Sequence, residues 1–278
     1  MDKITKALLA NKQVAISILD TRELVACAIE RHKLSNTAAV VLGRTLTIGT
    51  YTVSNLKGRN DRLSITINGG GPIGNIVVAG TFGKIRGYVD NPDVSGDIAS
   101  VVGKDGKITV IKDLGLKEPY NSSIELFSGN INNDMAYYYT VSEQKPTAIA
   151  VDVKFDNGKL IAAGGIIVHT LPECKDEIIT MLQDIMTNFT DVGTIISKMS
   201  PQEIIDDYFR AFNVEYTEDH YPNFVCSCSK ERIDKLILSL KPIERFEIIK
   251  ETGKIEVHCE FCNTYYTYTG EDVEKLLK

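Results

Sequence analysis

The sequence predicts an α+β fold: a strand-rich N-terminal core domain, a helical connector and a small C-terminal module. Three observations carry that prediction. Up to about residue 172 the apolar residues fall in short, neighbouring runs separated by turn signals, with helical stretches few and separate. That pattern favours antiparallel strands over a doubly wound sheet. After Leu171-Pro172 the apolar spacing becomes helical, and beyond residue 220 four cysteines stand in two close pairs.

The core elements follow in order. Residues 14–19 form a strand-like run ending at the turn signal Asp20-Thr21. Residues 35–54 read as a helix, with Ala38, Ala39, Leu42, Leu46 and Ile48 or Gly49 at roughly helical spacing. Ala38, Ala39 and Gly43 are small enough to pack closely on a sheet. Residues 63–67 alternate as a half-buried strand does and stop at Asn68-Gly69-Gly70-Gly71-Pro72. Strands are expected at 76–79 and 85–89; Asp90-Asn91-Pro92 breaks the run before further strands at 107–112 and 123–127. A helix is expected at about 131–141. Asp156-Asn157-Gly158 signals a hairpin between 148–155 and 159–165.

Residues 173–220 form the connector. Ile178, Met181, Leu182, Ile185, Met186 and Phe189 make one amphipathic stripe. Ser200-Pro201-Gln202-Glu203 opens a second helix, with a cap, a proline at the first position and a glutamate that completes a capping box. Its apolar face is Ile204, Ile205, Tyr208, Phe209 and Phe212. Helices this short need a partner surface. In the last region, 221–278, Ser229 caps a helix carrying Ile233, Leu236, Ile237 and Leu240. Residues 246–249 and 254–257 read as a hairpin around Thr252-Gly253, and a short helix follows Gly270.

Composition narrows the function. The 278 residues are 43% hydrophobic and 24% charged, with a net charge of −6. That balance argues against non-specific binding to nucleic acid or anionic membranes. No signal peptide or membrane-spanning run stands out, so a cytoplasmic protein is expected. Thiols there are kept reduced, so clustered cysteines point to metal or redox chemistry. Cys27 and Cys174 are isolated and read as buried structural thiols.

Other motifs carry little chemistry. Gly69-x-Gly71-x-x-Gly74 is formally a dinucleotide fingerprint, but Pro72 and the β-branched run at 73–79 leave no helix to meet a pyrophosphate. It reads as a hairpin turn. No phosphate loop, nucleophile elbow or His-Glu-x-x-His occurs. Ser142-Glu143-Gln144 has no identifiable base and reads as a helix end or sheet contact. The chain is therefore not expected to be an enzyme. His32, His169, His220 and His258 are scattered.

The cysteines differ in kind. Cys226-Ser227-Cys228 and Cys259-Glu260-Phe261-Cys262 supply four soft donors, the number a tetrahedral Zn2+ takes. His258 adjoins Cys259 as a rival ligand, yet four thiolates already fill the site. A segment of fewer than sixty residues has a thin core and needs such a staple. The single residue between Cys226 and Cys228 requires backbone that departs from a regular strand. The same sulfurs can oxidise to two local disulfides, which replace one long-range cross-link with two short ones. Two alternatives stand beside this redox switch. One is a constitutive zinc-ribbon adaptor binding nucleic acid or protein, disfavoured by the nearly balanced charge of 221–278. The other is a thiol–disulfide oxidoreductase, which normally places Cys-x-x-Cys at a helix start.

The flanks Phe224-Val225-Cys226-Ser227-Cys228-Ser229-Lys230-Glu231-Arg232 and Glu256-Val257-His258-Cys259-Glu260-Phe261-Cys262 resemble the bacterial 33-kilodalton redox-regulated chaperonin family. So do Leu42-Gly43-Arg44, residues 69–74, Arg86-Gly87-Tyr88-Val89, Lys112-Asp113-Leu114-Gly115, Ser142-Glu143-Gln144 and Ala163-Gly164-Gly165. The resemblance implies an ATP-independent holdase. It implies one zinc ion on Cys226, Cys228, Cys259 and Cys262 in a reduced, inactive monomer. Oxidation would form Cys226–Cys228 and Cys259–Cys262 disulfides, release zinc, disorder the zinc-binding domain and connector, and give dimers that hold unfolding client proteins. One coupling is then expected: if the zinc module is the lid or anchor of the connector's apolar stripes, losing zinc frees surface that binds non-native chains.

Overall fold

The computed structural model describes residues 1–277. The chain forms two compact units, Met1–Phe224 and Val225–Lys278. In the first, the elements are β1 (Lys3–Leu9), β2 (Val14–Asp20), α1 (Arg22–His32), α2 (Asn36–Ser54), β3 (Arg62–Gly70), β4 (Ile76–Thr81), β5 (Lys84–Val89), α3 (Ile98–Val102), β6 (Gly103–Asp113), β7 (Tyr120–Glu125), α4 (Ile131–Ser142), β8 (Thr147–Asp156), β9 (Lys159–Thr170), α5 (Asp176–Met186), α6 (Val192–Ile196), α7 (Pro201–Tyr208), β10 (Glu215–His220) and β11 (Asn223–Phe224). One sheet has the order β10-β1-β2-β9-β8 and the other β11-β5-β4-β3-β6-β7. Pairing is antiparallel except at β11, which runs parallel to β5. The α+β class expected from the sequence is the class observed.

Helix α2 explains how the two sheets share one core. It is apolar nearly all round, so it is buried from Ala38 almost without interruption to Ser54. Leu42, Leu46, Ile48 and Val53 join one core with Ile4, Val151 and Ile167 of the first sheet and Ile65, Val78 and Val110 of the second. Its buried threonines satisfy their hydroxyl protons within the helix, while Arg44 pairs with Asp152 of β8 at 2.8 Å. Thr45, Thr47, Thr50 and Thr52 each donate to the carbonyl four residues back, at 2.7–2.9 Å. Gly43 and Gly49 set the distance to each sheet. A Cβ on Gly43 would lie 2.6 Å from Val153 of β8, and one on Gly49 2.7 Å from Val78 of β4.

The connector lies within the first unit. Its stripes cover the other face of the first sheet: Leu182, Phe189, Val192, Ile204, Ile205, Phe209 and Phe212 pack with Leu9, Val14, Ile16, Ile18, Ile166 and Val168. The surface these short helices require is therefore the sheet itself. Ser200 caps α7 and Glu203 returns a 2.7 Å bond to the Ser200 amide, completing the expected box. Strand β10 was not expected. Its residues are mostly exposed and polar; it pairs antiparallel with the β1 edge, and ion pairs reinforce the ladder, Lys3–Asp219 at 2.9 Å and Lys6–Glu218 at 3.4 Å from β1 and Lys12–Glu215 at 3.3 Å from the turn after it.

Two motif readings of the core are met. Gly69–Gly74 is a turn into β4, with left-handed backbone at Gly70 and Gly74 (φ +76° and +72°). A Cβ on Gly71 would lie 2.3 Å from the Val101 carbonyl oxygen, so the glycines serve close backbone approach. Glu143 ends α4 and is tied to the Lys112 ammonium of β6, to Lys145 at 3.6 Å and to the Tyr138 hydroxyl at 3.1 Å. Cys27 and Cys174 are half-buried, rather than fully buried as expected.

The second unit contains α8 (Lys230–Ser239), α9 (Pro242–Thr252), β12 (Lys254–Cys259), β13 (Thr264–Thr269) and α10 (Gly270–Leu276). Its core is small: Ile233, Ile237, Ile255, Tyr268 and Val273. The expected hairpin around Thr252-Gly253 is wrong, because residues 246–249 belong to α9. Pro242 at the first turn, Glu244 bonded to the Lys241 amide at 3.0 Å, and Gly253 in the left-handed C-terminal position (φ +76°) together fix a helix. Arg245 on that helix caps the end of α8, donating to the Ile237 and Leu238 carbonyls at 3.3 and 3.0 Å. The hairpin of this unit is β12–β13, and its turn carries the second cysteine pair.

Candidate metal centre

The four C-terminal cysteines converge although their chain segments differ. Cys226 and Cys228 lie in residues 225–229, which have no regular secondary structure. That irregular backbone is what the Cys-x-Cys spacing demands. Cys259 ends β12, and Cys262 lies in the turn before β13, where the amides of Cys262 and Asn263 both bond to the Cys259 carbonyl at 3.2 and 2.8 Å. Asn263 takes left-handed backbone (φ +55°), which closes the knuckle.

The four sulfurs all lie within 4.8 Å of one another. Cys226 Sγ is 3.6 Å from Cys259 Sγ, and Cys228 Sγ is 3.2 Å from Cys262 Sγ, across 33 and 34 residues of chain. A tetrahedral zinc with bonds of ~2.3 Å places its sulfurs ~3.8 Å apart, so the set has the right size and softness to hold a metal ion. All four are free thiols; a disulfide needs ~2.05 Å. Among the described residues this is the group of three or more ligating side chains that meets so closely.

The electrostatics favour a cation. Burial, then hydrogen bonds with Cys262 and Cys226, push the Cys259 thiol up to about 12. Burial raises Cys226 as well, against the Cys228 amide that donates to its sulfur. At Cys228 burial is outweighed by hydrogen bonds from Tyr266 and Cys262, which bring the group down to about 7. Negative sulfurs this close repel one another, and a bound cation removes the conflict.

Neighbours complete the picture. The Tyr266 hydroxyl donates to Cys228 Sγ at 3.3 Å, and Thr264 Oγ1 lies 3.3 Å from Cys262 Sγ. Neither residue was singled out from sequence, although the aromatic run after Cys262 was the available signal. His258 is not among the four ligating side chains that meet here. Its ring nitrogens lie 3.1 Å from Glu260 and 2.8 Å from Asn263, and it stacks on Tyr265 with centroids 4.2 Å apart. The structure therefore brings together the four cysteines named from sequence and keeps the rival histidine outside.

Comparison with known proteins gives a consistent result. The chain matches the family model described as Hsp33 protein over residues 2–269. A 33 kDa chaperonin of Clostridium tetani is 39% identical over 288 residues, covering 100% of this chain and 98% of that one. Another, of Geobacillus, is 37% identical, covering 99% and 97%. The crystal structure of the 33 kDa chaperonin, a heat shock protein 33 homologue, from Thermotoga maritima superposes with a TM-score of 0.88 at 33% identity, covering 99% and 97% of the two chains. Among the described residues no helix is long and apolar enough to cross a membrane.

Proposed function

The chain belongs to the Hsp33 family, a family of chaperones, and from that premise we propose that it is a cytoplasmic, ATP-independent holdase switched by its four cysteines. One observation carries the reading: two local cysteine pairs whose sulfurs meet within 4.8 Å across more than thirty residues of chain. The role is binding rather than catalysis.

In the resting state Cys226, Cys228, Cys259 and Cys262 hold one zinc ion. When bound, zinc supplies the long-range cross-link and keeps all four sulfurs as thiolates. The small core around Ile233 and Ile255 relies on that cross-link. On oxidation each pair loses two electrons to a peroxide: a sulfur–sulfur bond forms, the oxygen–oxygen bond breaks, and two protons from solvent complete two waters. The products are Cys226–Cys228 and Cys259–Cys262 disulfides, which close only short loops and offer no anionic donors. The second unit then loses its order.

Connectivity supplies a route to the connector. Cys226 follows β11 by two residues, and β11 is itself only Asn223–Phe224. Upstream lies β10, an edge strand that pairs only with β1, across a ladder broken by a bulge, and whose ion pairs are individually weak. An unfolded second unit removes the anchor of β11 and β10, and the connector can then leave the sheet. Leu182, Phe189 and Phe209, together with Ile16 and Ile166 beneath them, become surface for non-native clients. The sheet is thus the cover of the stripes, and the zinc module acts on the connector through the chain that joins them. The reduced protein is a monomer and the oxidised one a dimer.

The test uses one oxidised sample for three measurements: metal released, free thiols, and suppression of client aggregation. All three change together under this reading. Equal suppression by reduced and oxidised protein would sink the switch.

A further inference from the structure

Strand β13 points one face along a single line. Thr264, Tyr266 and Tyr268 alternate with outward residues, as strand geometry requires. Thr264 Oγ1 lies against Cys262 Sγ at 3.3 Å. The Tyr266 hydroxyl reaches Cys228 Sγ at 3.3 Å. Tyr268 is buried in the unit's core and donates to Asp234 at 2.6 Å. Tyr266 is held in register by Val257 of β12, directly opposite, while Cys259 closes the same ladder against Thr264. A ring at position 266 packs as well without a hydroxyl, so packing alone does not require tyrosine there. Among the described residues, the hydroxyl's hydrogen bond goes to the Cys228 sulfur.

We propose that the Tyr266 hydroxyl is a positioning donor to the Cys228 sulfur that sets how readily this sulfur reacts, and so sets the oxidation threshold of the cysteine cluster. The inference rests on the metal and redox reading above and deepens it. A hydrogen bond to a thiolate draws electron density from its lone pairs, and such outer contacts tune ligand strength and metal affinity. The step it controls is attack by the Cys228 sulfur on a peroxide. A sulfur–oxygen bond forms, the oxygen–oxygen bond breaks, and the departing hydroxide takes a proton from solvent. The Cys226 thiolate then attacks the Cys228 sulfur, forming the disulfide and expelling a second hydroxide. With Tyr266 in place the attacking lone pair is partly engaged. Without it the sulfur is freer.

The test uses the full chain loaded with cobalt(II) in place of zinc. Two quantities are read: the energy of the sulfur-to-cobalt charge-transfer band, and the rate at which iodoacetamide alkylates each cysteine, resolved by peptide mass spectrometry. Tyr266→Phe is expected to move the band to lower energy and to raise alkylation at Cys228 several-fold, with Cys259 little changed. A loss of packing alone would accelerate all four cysteines together and leave the band in place. If Tyr266→Phe fails to load cobalt, a singly ring-fluorinated tyrosine at position 266, read at a pH where its phenol stays protonated, is a stronger donor of nearly the same shape and gives the decisive reading with both effects reversed. An unshifted band and unchanged Cys228 rate in either loaded variant overturns the inference while the metal centre stands. A wild-type chain that shows no charge-transfer band overturns the metal centre itself.

Discussion

Replacing Phe209 by alanine tests whether the connector is a separable layer. Phe209 is fully buried and lies parallel to Phe189, with ring centroids 6.0 Å apart and planes 3° from one another. The Phe212 ring lies 6.5 Å away, tilted by 38°. Removing such a ring costs ~3–5 kcal/mol. The loss falls on contact among the connector helices and the first sheet, not on the α2 core. At ~1.4 kcal/mol per factor of ten, the undocked connector should become ~10²–10⁴ times more populated. Reduced, metal-loaded Phe209→Ala is then expected to be cut by protease within 173–220, to bind a hydrophobic dye, and to suppress aggregation without oxidant. Limited proteolysis with mass mapping, beside an aggregation assay on the same sample, reads this directly. One result would refute the reasoning: the connector stays as protected as in wild type while the whole first unit melts at a lower temperature. The connector and core would then be one cooperative block, with nothing to release.

Three further outcomes are expected. Cys262→Ala should weaken metal binding by more than the ~10–100-fold that loss of an outer hydrogen bond costs, measured by competition with a chromophoric chelator. Stripping the metal from reduced protein should remove hydrogen-exchange protection from α8, β12 and β13 while α2 keeps it; equal loss in both units would contradict a core that stands alone. His169 provides a pH signature. Burial, then the charges of Lys145 and Lys6, hold it down to about 4, and its Nδ1 lies 3.1 Å from the Tyr51 hydroxyl. A lowered folded value means that its contribution is complete above the ordinary histidine range and is lost as pH falls through about 4. At ~1.4 kcal/mol per unit, the loss is about 3 kcal/mol. Urea titrations at neutral pH and at pH near 4 should show His169→Gln losing less stability than wild type over that interval.

What could be read from sequence follows from which signals were local. Ser200-Pro201-Gln202-Glu203 fixes a helix start by itself, and α7 begins there. The cysteine pairs announce a shared site because two tight pairs supply the four soft donors that a tetrahedral metal takes. Residues 246–249 mislead because a short run such as Phe-Glu-Ile-Ile looks alike in a strand and on a helix; the deciding residues, Pro242, Glu244 and Gly253, stand outside it. Strands β1 and β10 are illegible in the sequence for a different reason. Lys6 is buried in β1 with its ammonium on the Ser54 carbonyl at 2.7 Å, and β10 is almost wholly polar. Their pairing depends on partners some 200 residues away, as at Thr5 and Asp219, which no window of sequence contains. Tyr266 belongs to the same class, since its meaning comes from a sulfur 38 residues upstream.

The self-contained helix α2 has a consequence for the return journey. Its threonine hydroxyls are satisfied by its own carbonyls, and its two glycines lock it between the sheets without help from the connector. Strands β1, β2, β9 and β8 likewise bond to one another in unbroken succession. A displaced connector therefore meets a finished template when the thiols are restored. It has to find a surface, not rebuild one, so resetting is a docking event limited by short helices and loop closure. The molecule keeps a permanent mould of its resting state while the part cast in it comes and goes.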